Sequence, residues 1–242
     1  PLFDGQLLRA LGHGVYGGAA LGECLAAAAT ISNADRDSWQ RGWTQLADRT
    51  FEAAAASWRG GHRVSALNAF LRASNYYRSA YVLHLQSPLP PSVPQAYRCQ
   101  RDAFARAAAL MPLPPAPLAI AFGQAHMPGW FCPAGPGRRP TVVCVGGYDS
   151  TAEESYFWNA AAALARGYHA VLFDGPGQGG MLIEQGVPFQ PDWERVIGTL
   201  IDAITARADV DAARIVVIGE SFGGYLAARA AAVDARIAAC VL

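Results

Sequence analysis

The chain has 242 residues, 52% hydrophobic and 16% charged, with 19 basic and 19 acidic side chains summing to zero net charge. That length buries a sizeable core without staples, and with no basic block in the chain, nucleic acid is not an expected partner. The five cysteines, Cys24, Cys99, Cys132, Cys144 and Cys240, are widely spaced and form no C-x-x-C pair, which argues against a zinc knuckle or disulfide framework and for a reducing, cytoplasmic setting.

Residues 1 to about 112 read as helices. The apolar stretch 15–29 is interrupted by Glu23 and lacks a basic start, so it reads as a buried helix rather than a signal segment. No uncharged run reaches the roughly 18 apolar residues of a membrane span. The chain starts at Pro1 rather than Met, so the natural N-terminus is expected upstream. Asp37 is a candidate N-cap with Gln40 three residues on. Trp39, Trp43, Leu46, Phe51, Ala54 and Trp58 then recur at helical spacing until Gly60-Gly61. A further helix is expected over 62–85, with Val64, Leu67, Leu71 and Tyr81 near one stripe, and another over 93–110. The run Met111-Pro112-Leu113-Pro114-Pro115 marks a boundary between an all-helical domain, 1–115, and a second domain, 116–242.

In the second domain short apolar runs at 118–122, 129–132, 141–145, 170–173, 214–218 and 237–242 alternate with helical patterns at 153–166, 193–207 and 222–233. This alternation predicts an α/β fold with a mostly parallel sheet covered on both faces. At 219–223 the apolar run at 214–218 meets the helical pattern in Gly219-Glu220-Ser221-Phe222-Gly223. A G-x-S-x-G set between strand and helix is a nucleophile elbow: the sharp turn strains the serine and aims its hydroxyl outward. Side chains two residues either side would collide, so glycine suits both places. Ser221 is the candidate nucleophile, and the Phe222 N–H one oxyanion donor.

The second donor is expected from the loop after an earlier strand. Here Gly146-Gly147-Tyr148-Asp149-Ser150-Thr151 follows the 141–145 run, and Gly147 or Tyr148 is the candidate. Ser150 or Thr151 can cap the next helix, with Glu153 or Glu154 closing a capping box. Gly175, Gly177 and Gly180 match G-x-G-x-x-G, but Pro176 removes a backbone donor, no clear helix opens after Gly180, and no acidic residue ends a strand about 20 positions on. A tight wall of the active site is expected there, and no cofactor or metal.

Serine needs an adjacent base, and in this architecture the order is nucleophile, acid, histidine. Only Asp234 is acidic after Ser221, and all five histidines (13, 62, 84, 126 and 169) precede it. The acid and histidine are therefore expected beyond Leu242, as are the last strands of the sheet.

The segments 146–154 (GGYDSTAEE), 173–179 (FDGPGQG) and 219–225 (GESFGGY) resemble one α/β-hydrolase group. It includes 2,6-dihydroxypseudooxynicotine hydrolase, fungal pigment-pathway hydrolases that shorten polyketides, and the fermentation–respiration switch protein. Asp37-Ser38-Trp39 and the segment 71–78 (LRASNYYR) share the likeness. The resemblance implies an N-terminal helical cap, or lid, over a Ser-Asp-His site, cleavage of carbon–carbon bonds in ketones or of esters and thioesters, and a homodimer. It also makes Asn75, Tyr76 and Glu220 candidate substrate contacts, with helix packing the competing role for the first two. A small-molecule or polyketide-like substrate is expected, with no membrane partner. An acyltransferase or cyclase resolving the same acyl-serine, and a non-catalytic binding protein, are the alternatives.

Overall fold

The computed structural model describes residues 2–242. The chain divides into two compact units, Pro1–Pro112 and Leu113–Leu242.

The first unit is all-helical: α1 (Leu2–Gly12), α2 (Leu21–Ala28), α3 (Arg36–Arg59), α4 (Arg63–Tyr81) and α5 (Ser92–Ala108). Trp39, Trp43 and Leu46 of α3 pack with Ala73, Tyr76 and Ala80 of α4. The Trp39 indole N–H is satisfied by the Ser79 carbonyl at 2.7 Å, as a buried donor requires. Three expectations are corrected here. The N-cap of α3 is Asp35, whose carboxylate accepts from the Asp37 and Ser38 amides, so Asp37 lies inside the first turn. Of the stretch 15–29 only 21–28 is α-helix, and its Leu21 and Leu25 are exposed while Cys24 and Ala27 are buried. On α4 Val64 is exposed, and the buried face runs through Ala66, Ala69, Phe70 and Ala73.

The second unit is a six-stranded sheet of order β1-β2-β4-β3-β5-β6. Its strands are β1 (Ala116–Phe122), β2 (Ala125–Cys132), β3 (Arg139–Val145), β4 (His169–Phe173), β5 (Val210–Gly219) and β6 (Ile237–Val241). β1 and β2 form an antiparallel hairpin, and β2 is antiparallel to β4. β4, β3, β5 and β6 are mutually parallel. Parallel neighbours need crossovers, and helices supply them. Between β3 and β4 run α6 (Ala152–Ser155), a π-helical turn (Tyr156–Ala160) and α7 (Ala161–Ala165); between β4 and β5 run α8 (Gly179–Ile183) and α9 (Trp193–Thr205); α10 (Phe222–Val233) joins β5 to β6.

The two faces are covered by different helices. Trp193, Val196, Ile197, Leu200, Ile201 and Ile204 make one stripe of α9, which packs with Leu226 and Ala230 of α10 against Val143, Val145, Val171 and Val217. The alternate strand residues face the other way, where Trp130 of β2 donates to Glu153 of α6. Loops leaving β3 and β5 thus turn to opposite faces, and the gap between those carboxyl ends is where open α/β sheets place ligands. Among the described residues, no helix is long and apolar enough to cross a membrane.

Candidate active site

Ser221 stands between the end of β5 and the first residue of α10, with φ 54° and ψ −123°. A positive φ is rare outside glycine and costs on the order of 1–3 kcal/mol. The flanking glycines explain how the strain is held. A Cβ on Gly219 would lie 2.3 Å from the Gly223 carbonyl oxygen, and one on Gly223 2.2 Å from that of Val145. The turn is closed by the Gly223 N–H donating to the Glu220 carbonyl at 2.7 Å. Ser221 is left exposed at the head of a 12-residue helix, where the dipole favours negative charge.

The register of the sheet brings the second loop alongside. Val145 is level with Gly219 across the β3–β5 pair, so residues 146–148 leave the sheet beside the elbow. A Cβ on Gly147 would sit 3.2 Å from Ser221 Cβ and 3.2 Å from the Glu220 carbonyl oxygen. The Gly147 N–H is engaged by Ser150 Oγ at 2.9 Å. Among the described residues, the amides of Tyr148 and Phe222 donate no hydrogen bond. Thr151 is the cap of α6, accepting from the Glu154 N–H, and Glu153 accepts from Trp130.

Four rings line the mouth. Tyr148 stacks on Phe189 at 5.4 Å, Phe222 meets Phe189 edge-on at 5.4 Å, and Tyr225 stacks on Phe222 at 5.5 Å. Tyr148, Phe222 and Tyr225 are exposed, and such a row offers planar, apolar contact with polar tips. Phe189 escaped the sequence reading because an aromatic in an irregular loop has no periodicity to mark it.

The 173–180 loop is shaped by the protein's own packing. A Cβ on Gly175 would lie 2.5 Å from the Trp193 ring, and Gly177, at φ +86°, has the Phe189 ring 2.2 Å from that position. A short helix, α8, does open after the glycines, which corrects the expectation that none would. Its first turn is already occupied by a carboxylate: buried Asp174 accepts from the Gly180 N–H at 2.8 Å and from the Ala152 N–H of α6 at 2.6 Å. An anion there leaves no place for phosphate.

The helical-unit candidates are hydrogen bonded within their own unit. Asn75 is buried, its amide donating to the carbonyls of Ala10 and Gly18 and its oxygen paired with His13. The Tyr76 hydroxyl accepts from the Ala20 N–H and donates to Glu23, which also binds Arg72. Both side chains thus make the contacts that helix packing, the competing role, calls for. Glu220 is half-buried and its carboxylate accepts from Asn159, in the π-helical turn. Burial, with the Glu220 charge nearby, pushes the Cys144 thiol well up; burial lifts the Tyr156 hydroxyl to about 12. Neither histidine of this unit hydrogen bonds Ser221. His169 opens β4 level with Thr141, at the amino end of the parallel strands, and accepts from the Ala134 N–H; burial lowers its pKa.

The sequence pattern described as the alpha/beta hydrolase family matches residues 141–242. The chain is 38% identical over 250 residues to 20-hydroxy-prefusarin hydrolase FUS2 of Gibberella moniliformis, covering 99% of this chain and 59% of that protein. It is 39% identical over 260 residues to alpha/beta hydrolase ucsC of an Acremonium species, covering 98% and 52%. The crystal structure of 2,6-dihydroxy-pseudo-oxynicotine hydrolase superposes with a TM-score of 0.81 at 26% identity, covering 95% of this chain and 63% of that one. The chain therefore spans a little over half the length of these curated relatives.

Proposed function

We propose, from the premise that the chain belongs to the alpha/beta hydrolase family, that it carries the nucleophile of a serine hydrolase. Ser221 attacks a carbonyl carbon as a base takes its proton, the amides of Phe222 and Tyr148 donate to the oxygen as it gains charge, and the leaving group (carbon in a ketone, oxygen or sulfur in an ester or thioester) departs with the bonding electron pair and takes up that proton. Water then releases the acyl group from the serine. The observation that carries this reading is the strained Ser221, at φ 54°, packed beside Gly147. Each oxyanion donor of this kind is worth about 10²–10³ in rate. Of the two loop donors expected, Tyr148 is the better supported, since the Gly147 amide is taken by Ser150.

The names of relatives, 20-hydroxy-prefusarin hydrolase FUS2 among them, support a polyketide-like or small ketone, ester or thioester as substrate. The aromatic row of Tyr148, Phe189, Phe222 and Tyr225 suits a planar, conjugated acyl group. The all-helical unit takes the role of lid domain in this reading. The reaction needs a base to accept the serine proton, and neither His126 nor His169 of the second unit hydrogen bonds Ser221. The test is labelling of the full-length protein by a fluorophosphonate. Covalent modification at Ser221, abolished in Ser221→Ala with the fold intact, is the expected result; equal labelling of that variant would end the serine mechanism.

A further inference from the structure

Gln178 is almost fully buried in the 173–180 loop. Its amide nitrogen donates to the Gly146 carbonyl at 2.6 Å and to the Gly147 carbonyl at 2.9 Å, while its oxygen accepts from the Gly175 N–H at 3.2 Å. The assignment of the two ends follows from the partners, since two carbonyls demand the donor end and an N–H the acceptor end. One carboxamide thus ties the loop after β4 to the loop after β3.

The peptides 146–147 and 147–148 are trans, and in a trans peptide the C=O and N–H point in opposite directions. Holding the Gly146 carbonyl turns the Gly147 N–H the other way, where it meets Ser150 Oγ. Holding the Gly147 carbonyl likewise turns the Tyr148 N–H away from Gln178. The first peptide is held at both ends and the second only at its carbonyl. That carbonyl takes a second, longer bond from the Ser150 N–H at 3.4 Å, and glycine at 147 itself offers little resistance to a peptide flip. We propose that Gln178 is a positioning residue that sets the direction of the Tyr148 N–H, so that the loop presents a preorganised donor to the oxyanion. This rests on the reading of Ser221 as nucleophile.

The test uses full-length protein and two near-isosteric variants, Gln178→Met and Gln178→Glu. Fluorophosphonate labelling at Ser221 and turnover of 4-nitrophenyl butyrate are followed beside the melting temperature. The methionine variant removes both donor bonds; its labelling rate and kcat should fall about 10²-fold with KM near wild type and a melting temperature close to wild type. The glutamate variant opposes a carboxylate to two carbonyl oxygens, and burial among acceptors raises its pKa. Once protonated it regains one O–H donor, so its labelling rate relative to wild type should recover about tenfold as pH falls from about 8 to about 5. A purely structural residue predicts no such recovery. Labelling of both variants within about twofold of wild type, a flat ratio across pH, or a melting temperature that collapses together with labelling would each overturn the proposal while leaving the serine mechanism standing. Absence of labelling at Ser221 in the wild type would overturn both.

Discussion

At the scale of single residues the elbow is a problem of space. Gly223 has no room for a methyl group, with two carbonyl oxygens 2.2 and 2.5 Å from where its carbon would lie. Gly224, its neighbour, has nothing nearer than 3.7 Å. Gly223→Ala should therefore lose at least about 2 kcal/mol of stability in urea unfolding and much of its phosphonate labelling, because the strand and helix must separate to admit the methyl. Gly224→Ala should be neutral or stabilised by up to about 1 kcal/mol, since alanine suits a helix better than glycine. The G-x-S-x-G spacing made this legible from the letters. Asn75 and Tyr76 were not legible in the same way: a polar side chain on a helix reads alike whether it faces a substrate or satisfies carbonyls of its own unit.

At the scale of elements the site depends on how two helices are started. Asp174 accepts from the Ala152 N–H at the head of α6 and from the Gly180 N–H in the first turn of α8. One carboxylate therefore answers unsatisfied donors of two elements that are separated by β4. Asp174→Ala should cost about 1–4 kcal/mol, each lost cap contributing about 0.5–2, read as a lower urea midpoint with little change in slope. The long stripe of α9 was visible as apolar periodicity, and so were the strands. The five residues of α8 lie below the length at which a period can be seen. The π-helical turn at Tyr156–Ala160 was hidden for another reason, since α-helical and π-helical backbone present the same residues.

At the scale of the whole molecule the thiols and phenols report on burial. All five cysteines are free, and burial pushes every thiol up, Cys132 and Cys144 most strongly. Tyr76 and Tyr77 are raised as well, by desolvation first and by Glu23 and Asp48 next. A folded pKa above the unfolded one stabilises the fold below the unfolded value and loses that contribution as pH rises towards the folded one. Stability should thus hold level to about pH 8 and decline above about pH 9, as the unfolded chain begins to release protons that the folded chain keeps. Urea unfolding between pH 7 and 10.5 measures this. Iodoacetamide at about pH 8 should leave Cys132 and Cys144 unmodified in the native protein and modify them after unfolding.

The sequence by itself determined most of the elements and the turn that holds Ser221. Periodicity reports burial along one chain, and G-x-S-x-G between a strand and a helix encodes a local turn. Only the tertiary structure decided which loop amide is left to donate, that Asp174 and Gln178 bind loops far apart in sequence, and that Phe189 joins the aromatic row. Those facts follow from the β3–β5 register and from side chains meeting across the sheet, where partners are chosen by distance in space and leave no spacing to read.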